Sequence, residues 1–416
     1  MATLSIGAIV DFSPGISVMV NPMTLNDPYY GKLNLGQITT SGTNYVDISS
    51  IMASATIRRG RNRTLGQFEA GTASVDIYDT TGNWNPENPA GAYYPNLIPL
   101  RKIQIFADYG GVRYYLYTGF INSYVTNFSQ GVDQVSKVTL NCVDAFYLFN
   151  GTLITTVAGA VAGELPGDRI NDILNQISYP SGLRDIEPGK TTLQADPGTS
   201  RTALDAIRTV EQTELGGFYV DAEGRASFDS VTTITKSLDN VVYSFSDTGV
   251  GIQFQQSAIN YDADILLNDV TITRSGGTPQ NVQNSASIAT YFSHSGKREN
   301  LLMQTDQTAL DNAGSILATR SDVELRIDSI TLNLDNDADS ARIIAGLNLD
   351  LLNAISVTKK MPGNTTAQQT VLVQGLSHDL YNNRMVTTVY TGESLVTGFI
   401  LNSANLGIIG TSELGY

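Results

Sequence analysis

Val75-Asp76-Ile77-Tyr78-Asp79, Leu100-Arg101-Lys102-Ile103-Gln104-Ile105 and Tyr117-Thr118-Gly119-Phe120-Ile121-Asn122-Ser123-Tyr124 lie in the first third of the chain. Ile330-Thr331-Leu332-Asn333-Leu334-Asp335, Leu352-Asn353-Ala354-Ile355-Ser356-Val357 and Val373-Gln374-Gly375-Leu376-Ser377-His378-Asp379-Leu380 follow in the same order, roughly 250 residues later. Apolar and polar residues alternate with a period of two in these stretches, the pattern of strands with one buried face. Gly119 matches Gly375, and each set closes on a threonine-bearing strand, Val138-Thr139-Leu140 and Val386-Thr387-Thr388-Val389. A duplicated strand order predicts two related β-barrels or sandwiches in one polypeptide, with other material inserted between them.

Working outward from these strands, Asp108-Tyr109-Gly110-Gly111 supplies the positive-φ residues of a tight hairpin. Asn83-Trp84-Asn85-Pro86-Glu87-Asn88-Pro89-Ala90-Gly91 is too rich in breakers to continue a ladder and predicts a long ordered loop or rim. Helical spacing occurs in four places: Asp168 to Ser178 behind an Asp cap, about Thr202 to Gln212 with Ser200 as cap, about Asp306 to Arg320 capped by Thr305, and about Asp339 to Leu349. Phe218-Tyr219-Val220 and Arg225-Ala226-Ser227-Phe228 form a hairpin around Asp221-Ala222-Glu223-Gly224. The expected fold is mainly β with small α+β insertions. The expected units are a first β-barrel over residues 1–150, an inserted α+β unit over 151–235, and a second β-barrel over 236–416 with a smaller helix-containing insertion at about 280–325.

Composition narrows the function. The 416 residues are 41% hydrophobic and 16% charged, which predicts a folded chain with ample core. Forty acidic residues against 25 Lys and Arg give a formal charge of −15, which opposes a surface that grips nucleic acid. One cysteine, Cys142, and two histidines leave no disulfide framework and no Cys/His zinc set. The N-terminus has no basic region ahead of its apolar residues and no long apolar run occurs, so neither a signal peptide nor a membrane span is expected.

The run Arg58-Arg59-Gly60-Arg61-Asn62-Arg63-Thr64-Leu65-Gly66-Gln67-Phe68-Glu69-Ala70-Gly71-Thr72-Ala73 continues into Asp79, Asn85-Pro86-Glu87-Asn88 and Tyr93-Tyr94-Pro95-Asn96-Leu97. Together with Glu214-Leu215-Gly216-Gly217-Phe218-Tyr219-Val220-Asp221-Ala222-Glu223-Gly224-Arg225 it resembles the minor tail proteins of long-tailed bacteriophages. The resemblance spans about residues 55 to 400 as an order of motifs, and Asn26-Asp27-Pro28-Tyr29-Tyr30-Gly31 has no place in it. It implies a baseplate-hub fold: two barrels and two peripheral domains, three chains forming a pseudo-sixfold ring at the tip of the tail tube, with DNA passing through the lumen. The implied partners are a homotrimer, distal tail or tail tube proteins, the tape measure protein and other tip or fibre proteins. Specific nucleic-acid binding and a cofactor are not expected. Three similar pairs of barrels give the six units that a sixfold tube needs.

Candidate chemistry is sparse. His294 and His378 have no nucleophile elbow near them and read as structural or surface residues. Asp335-Asn336-Asp337-Ala338-Asp339 has calcium-loop spacing, yet Ser340 and Gly346 stand where glycine and a bidentate Glu belong, so a capping turn is expected. Asp262 with Asp264, or Glu87 with Asp79, are acid pairs of the kind chance produces in an acidic chain. Trp84, Tyr93 and Tyr94 suit either a packed interface or a sugar-stacking platform, the latter pointing to a receptor- or carbohydrate-binding module. Arg58, Arg59, Arg61 and Arg63 suit either a solvated strand edge or ion pairs with a neighbouring subunit or tail protein. The expected role is structural, at the virion tail tip, and not enzymatic.

Overall fold

A computed structural model describes residues 3–13, 45–61, 66–128, 135–335, 339–381 and 384–393. Asn26–Gly31 and Arg63 lie outside the described residues. The first seven strands are β1 (Ser5–Asp11), β2 (Tyr45–Asp47), β3 (Met52–Gly60), β4 (Glu69–Asp79), β5 (Arg101–Tyr109), β6 (Val112–Phe128) and β7 (Ser136–Val143). An α+β segment follows: α1 (Phe146–Gly151), β8 (Leu153–Ile154), α2 (Pro166–Gln176), β9 (Arg184–Ile186), β10 (Arg201–Thr202), α3 (Ala203–Glu214), β11 (Gly217–Val220), β12 (Ala226–Asp229) and α4 (Val231–Ser237). Then come β13 (Tyr243–Ser246), β14 (Gln256–Asn260), β15 (Asp269–Arg274), β16 (Gln280–Gln283), α5 (Ser285–Tyr291), β17 (Ser295–Leu301) and α6 (Asp306–Arg320). The chain continues with β18 (Arg326–Asp335), α7 (Ser340–Asn348), β19 (Ala354–Met361), β20 (Thr365–Tyr381) and β21 (Arg384–Gly392).

The duplication is built into the strand pairing. One module runs β3-β4-β7-β6-β5-β1, and the other runs β14-β18-β21-β20-β19-β13. In each, a 17-residue strand changes partner along its length: β6 pairs β5 and then β7, while β20 pairs β19 and then β21. The loop between β4 and β5 in the first module is replaced by α7 between β18 and β19 in the second. Their edge strands differ, since β1 lies antiparallel to β5 whereas β13 lies parallel to β19.

Hydrogen bonds fix the register of the repeat. Leu100 N–H donates to the Ile121 carbonyl at 2.7 Å, and Leu352 N–H donates to the Val373 carbonyl at 2.8 Å. Both leucines sit in the left-handed region, at φ 64° and 61°, which costs a non-glycine residue about 1 kcal/mol or more. A bulge follows each contact, between Ile121 and Ser123 in one module and between Val373 and Gly375 in the other. This register corrects the match of Gly119 with Gly375: the counterpart of Gly375 is Ser123, four positions later. The closing threonine strands do match, Thr139 opposite Asp76 and Thr388 opposite Thr331.

The sheets roll up without closing into a ladder. The chain leaving β2 crosses to the opposite edge through a turn in which Ile48 N–H reaches the Ala8 carbonyl and the Ile51 carbonyl accepts from Tyr78 N–H. In the second module Ile252 exchanges hydrogen bonds with Ser244 and Ser246, and Gln255 N–H then reaches Thr331 at the far edge. No closed barrel ladder is present among the described residues.

Alternation decides what each face does. Ile57, Val75, Ile77, Val138 and Leu140 are fully buried, while Thr56, Arg58, Thr72 and Lys137 between them are exposed. Burial of each such side chain stabilises by about 1.5–3 kcal/mol. One apolar cluster joins both modules and the α+β segment, and a second is formed by Val270, Ile272, Leu301, Ala313 and Ile316 where α6 covers the sheet β16-β15-β17.

Seven helices are described where periodicity marked four. The additional ones, α1, α4 and α5, have only six or seven residues, too few to display a repeating stripe. In α4 the β-branched run Val231-Thr232-Thr233-Ile234 favours a strand, and the Ser230 cap, accepting from Thr233 N–H at 3.2 Å, overrides it. Thr305 caps α6 as expected. Thr202, and not Ser200, caps α3, and α2 starts at Pro166 with Asp168 in its first turn and no side-chain cap.

The two modules are joined where β3 lies antiparallel along β20, with Gly60 opposite Gly375. A Cβ on Gly60, at φ +86°, would stand 2.4 Å from the Gln374 carbonyl oxygen, and one on Gly375 would stand 2.6 Å from the Arg61 carbonyl oxygen. Gly60→Ala is therefore expected to lower stability by roughly 2–4 kcal/mol, whereas Gly111→Ala, at φ +82° with open space around it, should cost only about 1 kcal/mol. Equilibrium urea unfolding of the two variants separates crowding from backbone strain.

Candidate functional site

The junction concentrates the charged side chains that the sequence singled out. Arg59, 4% exposed, donates through Nη1 to Asp350 Oδ1 at 2.7 Å, linking β3 to the turn before β19. Asp350 Oδ2 also accepts from Ala222 N–H at 3.3 Å, at the tip of the hairpin β11-β12. One carboxylate thus ties together both β modules and the inserted segment. Its oxygen Oδ1 accepts from Leu351 N–H as well, at 2.8 Å.

Arg61 is also drawn inside. Its Nε donates to Gln374 Oε1 at 2.8 Å, its Nη1 bonds the Gly66 carbonyl, and its guanidinium lies 4.4 Å from the centre of the Phe68 ring. Burial pulls its pKa down to about 10, which leaves it charged at neutral pH. Arg59 and Arg61 thus bond within their own chain, Arg59 to a carboxylate and Arg61 to a side-chain amide and a backbone carbonyl. Arg58 alone among the described arginines of the run is exposed, on the outer face opposite Ser377.

Trp84 is likewise an internal residue. The Asp79 carboxylate shapes its loop by accepting from Thr81 and Gly82 N–H at Oδ1 and from Trp84 N–H at Oδ2, the last two at 2.9 Å. The indole is 2% exposed and packs with Phe12, Tyr93 and Tyr124, with ring centres 5.2–6.4 Å apart. Tyr93 stacks on Phe12 at 5.0 Å and is half-buried, while Tyr94 is 45% exposed. A sugar platform needs a free aromatic face, and only Tyr94 offers one here.

Buried acids stand beside the junction. Asp144 accepts from Gly71 N–H at 2.5 Å and Phe146 N–H at 2.9 Å, and burial raises its pKa to about 7. Glu211 on α3 accepts from Phe218 N–H at 2.9 Å, and burial raises it to about 7 against the pull of that bond and of Arg61, Arg208 and Arg298. It opens on a cavity of about 330 Å³ lined also by Arg61, Gln67, Lys297, Arg298 and Glu299.

The remaining candidates are structurally occupied. His378 is buried, its Nδ1 lies 3.0 Å from Thr387 Oγ1, and burial lowers its pKa to about 3, so it is neutral. The His294 backbone N–H donates to Asn268 Oδ1, and its ring Nε2 lies 3.2 Å from the Tyr291 carbonyl oxygen. Asp262 accepts from Arg326 at 2.9 Å and from Asp264 N–H. Asn336, Asp337 and Ala338 lie outside the described residues, and Asp339 caps α7 through Ala341 N–H. Among the described residues no three His, Cys, Asp or Glu side chains converge as a metal site, and no helix is long and apolar enough to cross a membrane.

Known proteins place the fold. The chain superimposes on a tail protein from Neisseria meningitidis MC58 with a TM-score of 0.54 over 95% of its length and 98% of that chain, at 10% identity. It superimposes on the 43 kDa tail protein of prophage MuSo2 from Shewanella oneidensis with a TM-score of 0.55, over 94% and 99%, at 11% identity. No family model matches the sequence, and no curated protein matches it. The chain shares the fold of these tail proteins and is built mainly of strands.

Two outcomes test the energetics of this region. Asp350→Ala leaves the Arg59 guanidinium buried without its carboxylate and is expected to cost roughly 2–4 kcal/mol, while Arg59→Met in the same chain recovers part of that loss. Urea unfolding of the double-mutant cycle reads the coupling. Glu211, held near 7 when folded against about 4.5 ordinarily, binds its proton better in the fold; its contribution is complete below about pH 4 and fades as pH rises through 7. Stability should fall between pH 5 and pH 8, and Glu211→Gln should reduce that fall by up to about 3 kcal/mol, read from urea midpoints at the two pH values.

Proposed function

We propose that this chain is a structural protein of a phage tail tip, a baseplate hub whose three copies form a ring around an axial passage and join a sixfold tube to a threefold tip. The observation that carries the reading is the pair of modules with equivalent strand order, set side by side in one sheet through β3 and β20. Three such chains present six similar units, the number a sixfold tube ring needs. The tail-protein fold supports the same reading.

The outward face of that sheet suits a DNA path. It carries Ser54, Thr56, Ser74, Thr139, Ser377 and Thr388, with Asp76 holding Lys137 at 2.9 Å and accepting from Thr139 at 2.6 Å. Phosphate meets hydroxyls and carboxylates there instead of a cationic track, so few counterions are released and the duplex is not held. Arg58 on this face is available to a tail protein that occupies the passage. The neighbours that complete the device are a tube or distal tail protein on one side and the tape measure and fibre proteins on the other. The work is geometric and requires no turnover.

Light scattering on the purified full chain should give about 134 kDa, three times the 44.7 kDa of one chain. End-on electron micrographs should show six similar lobes around a hole. A particle that stays at the mass of one chain, or a dimer, would end this reading.

A further inference from the structure

We propose that the free edge of β14 in one copy pairs antiparallel with the free C-terminal edge of β6 in the next, in the register that β3 and β20 use within the chain. The inference rests on the ring reading and supplies its contact surface.

The two modules differ at one slot. Along one side of β20 lies β21; along the other β19 runs until Ala354 faces Leu372, and β3 then takes its place from Gly375 onward. The counterpart strand β6 carries β7 on one side and β5 on the other until Arg101 faces Ile121. Beyond that point Ser123–Asn127 has no strand beside it on the β5 side, among the described residues. The strand equivalent to β3 is β14, which pairs with β18 along one edge and with no described strand along the other. The slot that β3 fills within the chain and the strand that corresponds to β3 are thus both left over, at opposite ends of one ribbon.

Register and polarity follow. The shared bulge equates Val125 with Ser377, Thr126 with His378 and Asn127 with Asp379. Ser54 opposite Asp76 and Gln256 opposite Thr331 equate β3 with β14, so that Thr56 corresponds to Ala258, Ile57 to Ile259 and Arg58 to Asn260. The internal pairs Ser377–Arg58, His378–Ile57 and Asp379–Thr56 then become Val125–Asn260, Thr126–Ile259 and Asn127–Ala258 between copies. The ribbon β14-β18-β21-β20-β3-β4-β7-β6 is antiparallel at every step, so its two ends meet antiparallel in a head-to-tail ring.

Exposure supports the same contact. Ile57 and His378 are 0% and 1% exposed at the internal junction, whereas Ile259 and Thr126 are half-exposed. Tyr261, the counterpart of the buried Arg59, is 68% exposed, and Val125 is 45% exposed. An unpaired edge with apolar side chains is a surface that natural proteins cover or blunt.

The test uses the full chain with Val125→Cys and Asn260→Cys, a pair facing the same side, and Asn127→Cys with Ala258→Cys as a second pair. Opposite Cβ atoms in such a ladder are about 4.5–5.5 Å apart, while the diagonal pair Val125→Cys with Ala258→Cys is about 7–8 Å apart, beyond easy disulfide reach. Cys142 is buried, and burial pushes its thiol pKa up, so it stays out of the reaction. After mild oxidation each facing pair should give at least tenfold more covalent trimer on a denaturing gel than the diagonal pair. Trimer by light scattering without that enrichment would overturn the strand pairing and leave the ring standing. A bridge closed within a single chain would also overturn the pairing, and particles of one-chain mass would remove both pairing and ring.

Discussion

Close approach of two backbones at Gly60 and Gly375 is the constraint on which the molecule depends. Among the described residues the duplicated modules share a ladder only there, and only without side chains can β3 settle along the bulged part of β20. Two buried arginines serve that contact. Arg59 crosses the seam to Asp350, Arg61 is anchored by Gln374, and the same Asp350 holds the hairpin tip at Ala222. The inserted α+β segment is therefore fastened to the junction, which couples its position to the angle between the modules.

This arrangement explains why an acidic chain keeps a dense basic run. Guanidinium groups buried at a seam are costly unless paired, and each described one reaches an acceptor within the chain. Arg59 and Arg61 fasten the halves together, with Arg58 left facing outward. The aromatic loop is fastened in a comparable way, with the buried Asp79 carboxylate taking backbone donors that its breaker-rich sequence leaves unpaired.

Much of the architecture was legible in the sequence, because a period of two with turn signals between is a direct imprint of strands with one buried face. The strand order of both halves, the hairpin at Asp221–Gly224 and the Thr305 cap were all readable in this way. The register was not, since a β-bulge shifts a ladder by one residue without altering alternation, which is how Gly119 was set against Gly375. Nor was the junction: Asp350 sits in an ordinary Leu349-Asp350-Leu351 turn, and nothing local marks a partner on β3. The burial of Trp84 was hidden for the same reason, because Phe12, just past β1, and Tyr124 on β6, which cover it, are distant in sequence. Short helices such as α4 escaped because their caps outweigh their composition.

Leu100 and Leu352 hold the same backbone conformation at equivalent places, yet their side chains have different fates. Leu352 is 5% exposed and is plugged into the inserted segment close to Gly217, while Leu100 projects at 41% exposure. A ring of six look-alike units made from three chains would therefore carry sockets that alternate, three stoppered by the chain itself and three bare. Such an object reads as sixfold to a partner that senses only strands, and as threefold to one that probes for those bare leucines.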